Sequence, residues 1–139
     1  MAYISFSVNS GFPAYEQMDY ATDNPEIGEA LKNIALINIK KTPGGTSSWL
    51  PEIAEHYHKN RALLMEQVSL LAPQVIIGGG TLGHFYDDFN LSDSSFNKER
   101  SSWFVEQQGV LYIHAYHPAH RRGKARYVDD IVSIIRQCI

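Results

Sequence analysis

Two apolar runs in this chain end in side chains suited to ligand chemistry: Ile34-Ala-Leu-Ile-Asn38-Ile-Lys40-Lys41 and Val110-Leu-Tyr-Ile-His-Ala-Tyr-His117-Pro118. The carboxamide of Asn38 offers a donor and an acceptor side by side, which suits the edge of a flat heterocycle. The imidazole of His117 can donate to an oxygen that gains negative charge, or titrate near neutrality. Lys40 and Lys41 suit phosphate contact, and alternation along a strand would turn one into the crevice and the other away. Open α/β sheets bind ligands beyond the carboxyl ends of their strands. If the two ends are neighbours, Asn38 and His117 converge on one ligand. The plainer alternatives are a turn-capping asparagine and a structural histidine bonded to backbone.

Other candidates carry less. Gly78-Gly79-Gly80 could cradle a phosphate at a following helix start, but it lacks the spacing of a nucleotide-binding loop, and close strand-to-helix packing explains it as well. His114, His117 and His120 recur every third residue, yet along a strand His114 and His117 face opposite sides, so no metal site is expected. His56 and His58 do not share a helix face. The pairs Asp87-Asp88 and Asp129-Asp130 read as solvated helix faces. A single cysteine, Cys138, excludes a disulfide framework or a four-cysteine cluster within one chain.

The elements that must position these residues follow from pattern. Tyr3 to Val8 alternates large apolar with small polar residues and predicts a strand, followed by the turn chemistry of Asn9-Ser-Gly-Phe12-Pro13. Asn24-Pro25 starts a short helix. Ile34 to Lys40 reads as a buried strand. Leu50, Ile53, Ala54, Tyr57, Arg61, Leu64, Val68 and Leu71 step by three or four along one helix face, with Pro51 tolerated in the first turn and Pro73 as the stop. A break near His58 to Asn60 is an alternative. Gln74 to Ile77 is a strand entering the three glycines, and a helix from Thr81 to about Phe89 is expected after it. Asn90 to Ser102 reads as a surface loop, Gly109 to Tyr116 as a strand, and Tyr127, Ile131, Ile134, Ile135 and Cys138 as the inner face of a last helix. The order predicts one domain over 1–139: a three-layer α/β/α fold with a mainly parallel four-stranded sheet.

Three segments together resemble the uracil-DNA glycosylase superfamily. Ala35-Leu-Ile-Asn38 with Lys-Thr-Pro-Gly behind it is similar to the strand that ends in that family's base-reading asparagine. Pro73-Gln-Val-Ile-Ile-Gly-Gly-Gly80 is similar to the intervening strand. His117-Pro118-Ala119-His120-Arg121 resembles the family's histidine-proline-serine loop before the terminal helix. The resemblance implies that Asn38 binds the edge of a flipped base and that His117 stabilises charge on its carbonyl oxygen. Base flipping out of a duplex would cost a few kcal/mol. At the N-terminus the family's first strand and water-activating loop would fall on residues 3 to 8 and Asn9 to Pro13. Asn9 would then be the only polar stand-in for the catalytic acid, and Phe12 would lie against the base. Another alignment sets Phe6-Ser-Val8 against a later segment and leaves the first strand missing. The first is preferred, because that strand lies centrally in the family's sheet.

The activity implied is hydrolysis of an N-glycosidic bond that releases a nucleobase from DNA, as in base excision repair. The alternative is a non-catalytic module that binds a nucleobase, a nucleotide or DNA. No metal or organic cofactor is implied. Lys40, Lys41, His120 and Arg121 are the expected phosphate or DNA contacts. The net charge of −3 gives no general attraction to nucleic acid, so such contacts would be local, as in the run His120 to Arg126. The 139 residues, 44% hydrophobic and 19% charged, suit one globular domain, expected to be cytoplasmic and monomeric, without a secretory signal or membrane span.

Overall fold

The computed structural model describes residues 1–43, 50–97, 102–118 and 123–139. Among them are four α-helices: α1 (Ala2–Asn9), α2 (Pro25–Glu29), α3 (Leu50–Leu71) and α4 (Lys124–Cys138). The sheet has three strands, β1 (Val75–Gly79), β2 (Trp103–Gln107) and β3 (Val110–Ala115), in the order β1-β3-β2. β1 runs parallel to β3, with Val75 opposite Leu111 and Gly79 opposite Ala115. β2 runs antiparallel to β3, with Trp103 opposite His114.

Alternation along β3 builds two layers on the sheet. Leu111, Ile113 and Ala115 face Ile4 of α1 and Val128, Ile131, Val132 and Ile135 of α4. Those α4 residues recur at helical spacing, so one apolar stripe faces the strands. Tyr112 faces the other way, into a cluster with Leu82, Leu91 and Phe96. α3 packs outside that second layer through Tyr57 and Leu64, which meet Ile39, with Ile37, Ile53 and Phe85 against them. Gln74, Leu111, Cys138 and Ile139 line a common cleft. The last turn of α4 therefore lies at the amino ends of β1 and β3, and the helix runs back along the sheet.

Several expectations hold. Asn24 caps α2, its side-chain oxygen accepting from the Glu26 amide at 3.0 Å, and Pro25 occupies the first turn. α3 is continuous across His58 to Asn60 and ends two residues before Pro73. The apolar runs before the glycines and before His117 are strands, and they are parallel neighbours.

The expected four-stranded, mainly parallel sheet is not found; the sheet is three-stranded and mixed. Tyr3 to Val8 lies in α1, not in a strand. Its small polar residues make a helix that packs closely: Ser5 Oγ donates to the Ala30 carbonyl at 2.6 Å, and Ser7 Oγ to that of Pro13 at 2.8 Å. Both serines are buried and both hydroxyls are satisfied, so tertiary contacts override the strand preference of the alternating pattern. Ile34 to Lys40 is not a strand either. Leu36 is 72% exposed, and the Ile39 carbonyl accepts from Asn60 Nδ2 of α3 at 3.0 Å. The expected helix from Thr81 is a single 3-10 turn, Leu82–Phe85, followed by turns. The third strand comes from Trp103–Gln107, closed onto β3 by Gln108 and Gly109, both at positive φ (53° and 76°). Two successive positive-φ residues make the tight hairpin turn whose twist matches paired strands.

Candidate functional site

At the carboxyl ends of the parallel pair, the chain leaving β3 lies against the chain leaving β1. The Gly80 amide donates to the Ala115 carbonyl at 2.7 Å, extending the ladder one residue beyond β1. Gly80 then turns at φ +78°. A side chain there would have its Cβ 3.6 Å from the His117 nitrogen and 3.8 Å from the His117 Cβ; one at Gly79 would meet Pro118 Cδ at 3.2 Å. The glycines thus let the His117-Pro118 backbone approach closely, and His117 itself is exposed at the rim.

Asn38 is exposed on the extended segment that runs along α3. Its neighbours Ile37 and Ile39 belong to the cluster that includes Phe85, the last residue of the 3-10 turn. The stretch Gly80–Phe85 therefore touches the His117 backbone at one end and the Asn38 segment's cluster at the other. Lys40 pairs with Glu52, and Lys41 Nζ donates to Gln67 Oε1 at 2.8 Å, so both lysines reach back onto α3.

Other expected site residues lie elsewhere. Asn9 is in the last turn of α1, with Nδ2 donating to the Ser5 carbonyl at 2.7 Å. Phe12 sits under the guanidinium of Arg136, 6.0 Å from its ring centre, beside the last turn of α4. That turn is at the amino ends of the strands, away from His117. His120 and Arg121 lie outside the described residues.

A cleft of about 310 Å³ lies between α3 and the stretch after the 3-10 turn, lined by Tyr57, His58, Arg61, His84, Asp87 and Asp88. Asp88 is not on a solvated face: its side chain is only 8% exposed. Arg61 donates to its two oxygens from Nε at 2.8 and 3.1 Å and from Nη2 at 2.5 Å, and the Tyr57 hydroxyl donates to it as well. Charge, fork geometry and a neutral donor together satisfy this carboxylate. Tyr57 is stacked on His84, centroids 5.8 Å apart at 27°, and meets Phe85 edge-on. Burial, and then the neighbouring His58, hold His84 below the ordinary imidazole range. Sequence reasoning missed this constellation, although an arginine on the apolar stripe of α3 signals a buried acidic partner.

A second polar group lies under the sheet. The Tyr86 hydroxyl is 2.9 Å from His114 Nδ1, and the Asp93 carboxylate acts on both groups electrostatically. Burial, then Asp93, push the Tyr86 hydroxyl up to about 12. Burial lowers His114, which Asp93 partly opposes, and Tyr86, Phe96 and Trp103 ring it.

The two lowered histidines predict acid sensitivity. An imidazole held below its unfolded value favours the folded state most above the unfolded value, about 6.5. That contribution is lost as pH falls through the lower folded-state value. Urea unfolding midpoints should therefore fall between pH 7.5 and pH 5. His84→Gln and His114→Gln should each flatten the slope, and a midpoint independent of pH in wild type would contradict this.

No family model, curated protein or solved structure matches the chain. Among the described residues no helix is long and apolar enough to cross a membrane.

Proposed function

We propose that this chain binds a nucleobase-bearing ligand, a nucleotide or a base presented by DNA, at the carboxyl ends of β1 and β3. The observation that carries this reading is the close crossing of His117-Pro118 over Gly79-Gly80 at the end of the only parallel strand pair among the described residues. Ligands of open α/β sheets collect at such ends. An exposed imidazole there can donate to a carbonyl oxygen, and Gly80–Phe85 supports both this rim and the segment carrying Asn38.

Binding without hydrolysis is the favoured form. Hydrolysis needs a group that places water beside the sugar. Asn9, the residue expected to do so, is tied to its own helix, and Phe12 lies beside the far end of α4. A second reading, N-glycosidic hydrolysis with His117 as electrophile, keeps the support of His117 alone.

The test is titration of the isotopically labelled protein with uridine, cytidine, adenosine and guanosine monophosphates and a short single-stranded oligonucleotide. Saturable amide shifts at Gly79, Gly80 and His117 are expected with at least one of them. His117→Ala should weaken that response about tenfold, the equivalent of losing one good hydrogen bond to the ligand. No saturable response to any ligand would overturn the proposal. Incubation with a uracil-containing oligonucleotide should leave it intact; an abasic product that disappears in His117→Ala would replace the binding reading with the hydrolytic one.

A further inference from the structure

We propose that the cleft between α3 and residues 84–88 is a separate binding site for a small organic cation, a guanidinium or a primary ammonium.

Every charge on the cleft wall has a partner except one. Asp88 is saturated by Arg61 and Tyr57, and that ion pair is electrically neutral. Asp87 is exposed; its carbonyl accepts from the Asn90 amide at 3.3 Å, but its carboxylate has no hydrogen-bond or ion-pair partner among the described residues. Burial, and then His58, disfavour the protonated form of His84, so its neutral form is the favoured one. A neutral imidazole has one nitrogen free to accept. The wall therefore presents one net negative charge and several acceptors. Its one cationic group, the Arg61 guanidinium, is already engaged by Asp88.

A ligand that fits must bring donors and positive charge. An anion would face Asp87 and find no free cation. A metal ion fits poorly, because the described residues contain no group of three ligating side chains disposed to hold one. The volume of about 310 Å³ equals about ten waters at ~30 Å³ each, enough for a molecule of arginine's size. The His84 ring, backed by the buried Tyr57 stacked on it, gives a flat wall for the methylene stem.

The test is titration of the labelled protein at pH 7.5 with L-arginine amide, with methylammonium, and with inorganic phosphate for comparison. Saturable shifts at Tyr57, His84 and Asp87 are expected with either cation and not with phosphate. If only arginine amide acts, the site reads a guanidinium; if both act, it reads an ammonium too. Asp87→Asn removes the unpaired charge, and His58→Lys adds a positive one. Both alter exposed side chains, so both variants should fold, and each should weaken binding roughly fivefold or more. Wild-type affinity in Asp87→Asn, a phosphate response at the same amides, or no saturable cation response would each overturn the proposal. So would a cation response confined to Gly79, Gly80 and His117, which belongs to the strand-end site.

Discussion

Ile113→Ala should lower the free energy of unfolding by about 2–5 kcal/mol, the usual loss when a large aliphatic side chain is removed from a closed core. Ile113 is fully buried at the middle of β3, the strand that has neighbours on both sides, Ile77 across one ladder and Phe104 across the other. Its side chain packs among Ile4, Val128, Ile131 and Ile135, from two different helices. Rigid strands and helices around the site cannot collapse freely into the void, so cavity and transfer terms add. Domains of this size have only about 5–15 kcal/mol in total. Urea unfolding should show a lower midpoint with an unchanged slope, and Ile113→Val should lose only about 0.5–1.5 kcal/mol. A loss below about 1 kcal/mol in the alanine variant would mean that α1 and α4 do not close over β3 as described.

Gly78→Ala should be nearly as damaging, and it should reach the strand-end site. A Cβ at Gly78 would stand 2.4 Å from the Leu82 Cβ, 2.8 Å from the Leu82 nitrogen and 2.9 Å from its Cα. Two of those atoms are backbone, so no change of rotamer relieves the clash, and Leu82 is itself buried in the second core cluster. The turn after β1 must move outward, at a cost of about 1–3 kcal/mol or somewhat more. That turn carries Gly80 against His117 and Phe85 against the Asn38 segment. Nucleotide titration of the variant should therefore show weakened binding even under conditions where it remains folded. Gly83→Ala is the control: nothing lies within 4 Å of a Cβ there, and stability should stay within about 0.5 kcal/mol of wild type. Equal stability of the two variants would contradict the close packing of β1 on the 3-10 turn.

The placement of the candidate residues in the fold was legible in part. His117 does stand at a strand end beside the glycine turn, because an apolar run stopped by histidine and proline marks a buried strand reaching solvent. The same reasoning puts Asn38 on a strand. Its run instead gives its Ile39 carbonyl to Asn60 and leaves Leu36 in solvent. Arg61 was visible on the α3 stripe, but its partner Asp88 was 27 residues away and looked solvated. Asp129, whose pair also reads as a solvated face, accepts from the Tyr15 amide at 2.7 Å. In each miss the decisive partner was remote, and residue type did not reveal it.

The amino-acid order alone settled what short-range physics can settle: the cap at Asn24, the stop of α3 before Pro73, and the apolar stripe of α4. A helix satisfies its own backbone groups, so its pattern and its stop signals lie within one stretch of chain. Strands have no such autonomy. Tyr3 to Val8 and Ile34 to Lys40 both carried sheet-like patterns, but β1 pairs with β3, the hairpin supplies β2, and serine hydroxyls hold the first of those segments as a helix. Which extended segments join a sheet, and which acids find a cation, was decided only when remote parts of the chain packed together, because a strand's backbone partners and a buried charge's counterion lie far off in sequence.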